Sequence, residues 1–332
     1  MTEDQKKIGL LGGGSWATAL VKLLQNNCDQ INWYIRSKDN INKIKKYKHN
    51  PKYLTSIQID TKRVTFFDDI VTAIDESDIL IIAIPASYIP ESFEKYNGNY
   101  SDKFIFSAVK GIVPQFNLTI TEYFNKTYNV PFSRLGIISG PCHAEEIAHE
   151  RLSYLTISSK NKVDATFLAG RISCHYVHAK ISDDIYGTEY AAVLKNIIAI
   201  AAGICHGLGY GDNFQAVLIS NAIQEIKRFL DKTYKSKRRI NSSPYLGDLL
   251  VTSYSQFSRN RTFGTMIGKG YSVKSALLEM NMVAEGVNAV GCIKQINEKF
   301  KVKMPITDAV YNILINKVSA PLEIKLLTEK LK

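Results

Sequence analysis

Residues 8–20 read IGLLGGGSWATAL. An apolar run ends in three glycines, and small residues suited to a closely packed helix follow. A strand that turns through glycines straight into a helix is the opening unit of a sheet built by strand–helix–strand repetition. Gly12, Gly14 and Ala17 stand in the order G-x-G-x-x-A. The first permits the tight turn, the second lets backbone approach a pyrophosphate, and the third lets the helix pack closely on the strand. The helix start then offers unpaired N–H donors and the positive end of the helix dipole, which together favour a phosphate.

The following segments repeat the pattern. INWYI from Ile31, DILIIAIP over 78–85, FIFSAVKG from Phe104 and LGIISGP from Leu135 are short runs rich in branched apolar residues. Continuous apolar runs of this length predict strands buried on both faces of a parallel sheet, joined by right-handed crossovers. After about Tyr186 the pattern becomes helical, through GTEYAAVLKNIIAIAAGI, NFQAVLISNAIQEIKRFLDKTY, SVKSALLEMNMVAEGVNAVGCIKQI and TDAVYNILIN. A chain of 332 residues is too long for one ordinary core. The predicted fold is therefore α/β. An N-terminal Rossmann-type doubly wound parallel sheet over 1–186, with a turn suited to a dinucleotide, is followed by an all-α C-terminal domain over 187–332.

Composition narrows the function classes. The chain is 45% hydrophobic and 22% charged, ordinary for a globular protein. The sequence shows no run of ~18 apolar residues, the length that spans a membrane. MTEDQKK places acids where a secretory leader needs basic residues. A cytoplasmic location without membrane insertion is expected. The five cysteines, Cys28, Cys142, Cys174, Cys205 and Cys292, are scattered with no C-x-x-C pair, which predicts reduced thiols and no metal site. Cys174 with His175 and His178 reads as a strand carrying surface histidines. The net charge is +11, but the basic clusters KIKKYKH and KSKRR lack interleaved stacking aromatics. They predict a solvated face, with a share of the charge steering an acidic small molecule, rather than a nucleic-acid site.

Two cations stand out. Arg36 follows the second predicted strand, where an acid would hold the ribose hydroxyls of NAD. An arginine there can stack on adenine or pair with a 2′-phosphate, which makes NADP as well as NAD a candidate cofactor. Lys195, with Asn196, lies inside the apolar stretch YAAVLKNIIAIAAGICHGLGYGDN over 190–213. Removing an ammonium from water without a partner is costly.

GGGSWATAL, VKG, SGPCHAEEIA, VLKNIIAIAAGICHGLGYGDN, LGDLLVTSYSQFSRNRTFG and VAEGV, in that order and across essentially the whole chain, resemble NAD(P)-dependent glycerol-3-phosphate dehydrogenase of the bacterial type. The resemblance implies an oxidoreductase that interconverts dihydroxyacetone phosphate and glycerol 3-phosphate and supplies the backbone of phospholipids. It implies NADP or NAD as cofactor, a small-molecule substrate, and a homodimer as the assembly to test. By the same motifs Lys195 matches the catalytic lysine, with Asp248, Thr252 and Asn196 as its companions. Ser258, Arg259 and Asn260 match the binders of the substrate phosphate, Lys110 a lysine that touches substrate and cofactor, and Gly140 and Cys142 further substrate positions. Gly12, Gly14, Ser15, Trp16, Ala17, Arg36, Ala144, Val283 and Glu285 match cofactor positions, together with Lys110 and Arg259. The chain departs from the family at Ala17, where Gly is usual, at Cys142 and His143, where a hydroxyl residue and Phe are common, at SSPYLGDL before Asp248, and at Thr55, where Pro is common.

The implied chemistry suits these residue types. Hydride reduction of a ketone leaves an alkoxide that needs a proton. A lysine out of water has its charged form disfavoured, which brings it toward the working pH as an acid and base, and until it gives up the proton it is a cation aimed at the growing negative charge. Asp248 offers a carboxylate partner, and Thr252 lies one helical turn further on the same face. Arg259 can grip a phosphate through two parallel hydrogen bonds. Another two-domain hydroxyacid dehydrogenase would share the first turn but not SRNRTFG after GDLLVT. A nucleotide sensor without turnover would not need Lys195, Asp248, Thr252 and Arg259 together.

Overall fold

The computed structural model describes residues 6–280 and 284–332. Its ten strands are β1 (Ile8–Leu11), β2 (Ile31–Tyr34), β3 (Val64–Phe67), β4 (Ile79–Ile82), β5 (Phe104–Ser107), β6 (Ile112–Val113), β7 (Leu118–Thr119), β8 (Leu135–Ser139), β9 (Ser153–Ser159) and β10 (Val177–Ser182). The chain divides into two compact units, one of residues up to Val109 with Ile120–Ile185, the other of Lys110–Thr119 with Tyr186–Lys332.

The first unit is built on an eight-stranded sheet in the order β10-β9-β8-β5-β4-β1-β2-β3. Its helices are α1 (Ser15–Leu24), α2 (Lys38–Tyr47), α3 (Ile70–Asp75), α4 (Ile89–Phe93), α5 (Ile120–Tyr128), α6 (Ala144–Ala148) and α7 (Lys162–Ile172). β1, β4 and β8 are buried at every residue, as their unbroken apolar runs require. The sheet departs from the expected all-parallel pattern at one pair: β9 runs antiparallel to β8, with Gly136 opposite Ser159. The link between them holds only the short α6, which packs on α1, so the chain turns back instead of crossing over. β3 and β10 are edge strands, with three of four residues of β3 and five of six of β10 in contact with solvent. They therefore lack the double-sided apolar signature that marks the central strands. β9 is buried but rich in Ser and Thr. Ser159 Oγ donates across to the Leu135 carbonyl of β8 at 3.0 Å and Ser153 Oγ to the Arg151 carbonyl at 2.9 Å.

The second unit holds α8 (Ile185–Gly207), α9 (Asp212–Thr233), α10 (Asp248–Tyr254), α11 (Arg259–Gly268), α12 (Val273–Glu279), α13 (Glu285–Phe300), α14 (Pro305–Leu314) and α15 (Ala320–Thr328). Beside the helices from Tyr186 onward, this unit takes in the earlier segment Lys110–Thr119. The β6–β7 hairpin pairs Ile112 with Thr119 and belongs to this unit, with Ile112 buried in its core. By length and composition alone α8 is long and apolar enough to cross a membrane. Its most apolar 18-residue window has a mean hydropathy of 1.4, yet 89% of that window is buried inside the protein, so here it serves as the central core helix. α8 and α11 meet backbone to backbone: a Cβ on Gly203 would stand 2.1 Å from the Arg261 carbonyl oxygen, and one on Gly264 2.1 Å from that of Ile200.

Glu225 of α9 is fully buried. It accepts the N–H groups of Ile306 at 2.8 Å and Thr307 at 2.9 Å and the Thr307 hydroxyl at 2.7 Å. It thereby satisfies the first turn of α14, whose own N-cap residue, Met304, makes no side-chain cap. Burial pushes its carboxyl up from 4.5 to about 7 against the opposing pull of these hydrogen bonds. Because the folded value lies above the unfolded one, Glu225 contributes stability below pH 4.5 that is lost as the pH rises through about 7. Glu225→Gln removes that term, so its melting temperature relative to wild type should rise steadily between those two pH values. Thermal denaturation across the window checks this, and a constant difference contradicts it.

Candidate active site

The phosphate turn lies in the first unit. Gly12 follows β1 with φ +135°, and a Cβ there would stand 2.6 Å from the Ala83 carbonyl oxygen, so only glycine fits. Its N–H donates to the Tyr34 carbonyl at 3.1 Å, and its own carbonyl accepts Trp33 Nε1 at 2.7 Å. Gly14 precedes α1 in an extended conformation, and a Cβ on it would meet no atom within 4 Å. Ala17 is fully buried and Ser15 nearly so. Thr18 Oγ1 donates to the Gly14 carbonyl at 2.9 Å, and Asn50 Nδ2 reaches both Thr18 Oγ1 at 2.8 Å and the Gly13 carbonyl at 3.2 Å. The first turn of α1 carries no acid, so its positive end is uncompensated. The buried Trp16 Nε1 has no acceptor among the described residues, which a bound polar group would satisfy. The turn fits a dinucleotide pyrophosphate.

Arg36 is exposed just beyond β2, next to Ser37, which caps α2 by accepting the Asn40 N–H at 3.2 Å. Gly140 follows β8 with φ +122°. The buried Cys142 Sγ donates to the Gly140 carbonyl at 3.3 Å, so this thiol makes a local bond within its own turn. Ala144 opens α6 and is buried.

Five of the residues singled out in the sequence meet in the second unit. Lys195 is only 4% exposed on α8. Its Nζ donates to Asp248 Oδ1 and, at 2.7 Å, to Thr252 Oγ1. The Thr252 hydroxyl in turn donates to the Asp248 carbonyl at 2.7 Å, which fixes the lone pair it offers to the lysine. Lys110 Nζ approaches both oxygens of the fully buried Asp248, at 3.3 and 3.1 Å. Asn196 Nδ2 donates to the Lys110 carbonyl at 2.7 Å and so holds the hairpin end that carries Lys110. A single π-helical turn, Ser243–Gly247, delivers Asp248 to the start of α10, a distortion common where a helix end is fitted to a site. Asp248 accepts from two ammonium groups, which sets cations where an anionic substrate or a developing oxyanion could be met.

Ser258 caps α11 by accepting the Arg261 N–H at 3.3 Å. Arg259 is exposed at the first position of that helix, and Asn260 is buried behind it. Asn260 Oδ1 accepts the N–H of Gly286 at 3.0 Å. Glu285 is the half-buried first residue of α13. Val283 lies outside the described residues. Sequence reasoning passed over Trp33 and Asn50, which brace the phosphate turn, and Gly286, although Asn50 precedes a proline and Gly286 stands inside the VAEGV motif already noted.

A glycine-rich phosphate turn on a parallel sheet in one unit, and a buried lysine–carboxylate–hydroxyl cluster in the other, are the working parts of a dinucleotide-dependent oxidoreductase. The N-terminal model of NAD-dependent glycerol-3-phosphate dehydrogenase matches residues 7–165, and the C-terminal model matches residues 184–324. The chain is 36% identical over 313 residues to glycerol-3-phosphate dehydrogenase [NAD(P)+] of Bacillus subtilis, covering 94% of this chain and 90% of that one. It is 33% identical over 320 residues to the enzyme of the same name from Clostridium botulinum, covering 96% of each. The chain belongs to the NAD-dependent glycerol-3-phosphate dehydrogenase family. Its fold superposes on the crystal structure of glycerol-3-phosphate dehydrogenase from Coxiella burnetii with a TM-score of 0.89, at 24% identity and covering 98% and 99% of the two chains.

The shared carboxylate predicts an asymmetry between its partners. Lys195→Met removes one buried charge and leaves Asp248 paired with Lys110, so the melting temperature should hold or rise. Asp248→Asn removes the buried carboxylate that both ammonium groups share and should cost about 3–5 kcal/mol. Thermal denaturation of the two variants side by side measures the difference, and a larger loss for Lys195→Met contradicts it.

Proposed function

We propose that this chain interconverts dihydroxyacetone phosphate and glycerol 3-phosphate with NADPH or NADH, supplying glycerol 3-phosphate for phospholipid synthesis. The observation that carries the reading is the bonding of Lys195 to Asp248 and Thr252 on the buried face of α8. The dinucleotide, when bound, supplies the hydride that reduces the ketone carbon. Lys195 Nζ gives its proton to the former carbonyl oxygen as negative charge grows there, and takes it back in the reverse reaction. Asp248 and Thr252 aim the ammonium by accepting its hydrogens. Lys110, tied down through its carbonyl by Asn196, adds a second positive charge. Arg259 and Asn260 anchor the substrate phosphate with Ser258 beside them, while Gly140 and Cys142 contribute further substrate contacts. Gly12, Gly14, Ser15, Trp16 and Ala17 hold the pyrophosphate, Arg36 the adenosine end, and Ala144, Val283 and Glu285 the remaining cofactor contacts.

In this reading the protein works in the cytoplasm as a homodimer on a small-molecule substrate, without nucleic acid or membrane insertion. The five free cysteines support a reducing compartment, and the +11 net charge supports steering of a phosphorylated substrate.

Nicotinamide absorbance with dihydroxyacetone phosphate and either reduced dinucleotide tests the reaction directly. Lys195→Ala should lose about a hundred- to ten-thousand-fold in turnover. Lys195→Arg should not restore it, since arginine keeps the charge but cannot release a proton. Arg259→Ala should raise the KM for dihydroxyacetone phosphate, losing about 1.5–3 kcal/mol, and leave the poor rate with unphosphorylated dihydroxyacetone nearly unchanged. A fully active Lys195→Met enzyme refutes the proton-transfer role.

Cofactor choice rests on Arg36. NADPH should be used at least as well as NADH, and Arg36→Asp should weaken NADPH selectively by exchanging an attraction for a repulsion. A wild-type enzyme indifferent to NADPH overturns this assignment.

A further inference from the structure

Gly286 is the second residue of α13, and its N–H is one of the donors that a helix start cannot satisfy within itself. It donates to Asn260 Oδ1 at 3.0 Å. Because the group facing Asn260 is a donor, the carboxamide must turn its oxygen toward Gly286 and keep its NH2 for another partner. The same glycine sits where no side chain fits. A Cβ would stand 2.7 Å from the Asn196 carbonyl oxygen, 2.8 Å from the Asn196 carbonyl carbon and 2.9 Å from Ile200 Cδ1. Asn196 adjoins Lys195, and Asn260 adjoins Arg259. One residue therefore touches both the helix that carries the buried lysine and the side chain next to the exposed arginine.

We propose that Gly286 is a positioning residue for the phosphorylated substrate: its N–H holds the Asn260 carboxamide with the NH2 presented as a donor to the phosphate, and its missing side chain lets α13 seat against α8 at Asn196. The inference rests on the reading that Asn260 meets the substrate phosphate. A carboxamide turned the other way would present its oxygen to the anion and repel it. Gly286 thus sets the preference for a phosphorylated over an unphosphorylated ketone without touching either.

The test compares kcat and KM for dihydroxyacetone phosphate and dihydroxyacetone in wild type, Gly286→Ala and Asn260→Asp. Gly286→Ala should raise the KM for the phosphorylated ketone about tenfold, the scale of one hydrogen bond to a charged group. The preference over dihydroxyacetone should fall with it, whereas a purely structural defect would lower both substrates alike. Asn260→Asp keeps an oxygen for the Gly286 N–H and replaces the outward NH2 with an acceptor. It should lose the same preference. A folded Gly286→Ala enzyme with the wild-type preference overturns the proposal. If that variant does not fold, retained preference in Asn260→Asp overturns it instead. If the wild type does not turn over dihydroxyacetone phosphate, the proposed function fails, and amide exchange at Gly286 still decides the bond. Gly286 should be protected in wild type and in Asn260→Asp and exchange faster in Asn260→Ala, and equal exchange in all three refutes it.

Discussion

A single carboxylate organises the catalytic unit. Asp248 has no contact with solvent, yet it is surrounded by donors: Lys195 from the central helix and Lys110 from the hairpin end. Neither lysine would be tolerated where it lies without a counter-charge, and the carboxylate would not be tolerated without them. The buried pair therefore constrains three segments that are far apart in sequence, and the π-helical turn before α10 is the local distortion that lets Asp248 reach them. The helices around the pair also pack at contact distance through glycine, at Gly203 against Arg261 and at Gly286 against Asn196. The lysine, its acid and the residues of the α11 start are thus held by backbone contacts that a flexible surface loop could not provide.

Much of this was legible in the sequence because function needed unusual residues in unusual places. Gly12 and Gly14 announce themselves because the turn uses a positive φ and an unobstructed backbone. Lys195 announces itself because a charge inside an apolar helix needs a reason, and the reason, Asp248 with Thr252, lies at helical spacing in GDLLVT. The central strands were readable from their unbroken apolar runs. The edge strands β3 and β10 were not, because a strand with one solvated side carries a weaker pattern, and β9 hid its burial behind serine and threonine side chains that read as polar.

What the sequence could not show is pairing across distance. Nothing in Asn196 indicates that its amide belongs to the Lys110 carbonyl. Nothing in Glu225 marks it as the cap of a helix some eighty residues later. The antiparallel return of β9 depends on α6 lodging against α1, a packing choice that no local propensity encodes. Residues whose role is to accept a hydrogen bond from a remote backbone group leave no periodicity behind, so only the three-dimensional arrangement identifies them.

The discontinuous second unit has a consequence for how this enzyme comes into being. Its last member to be synthesised, the helical stretch after Tyr186, is also the one that needs Lys110, which left the ribosome much earlier. The matched family models divide the chain after residue 165 and before residue 184, but a fragment cut there would separate Lys110 from Asp248 and leave the Asn196 amide without its acceptor. The charged centre therefore draws its groups from both the early and the late part of the chain, and a boundary drawn by sequence between them cuts through it.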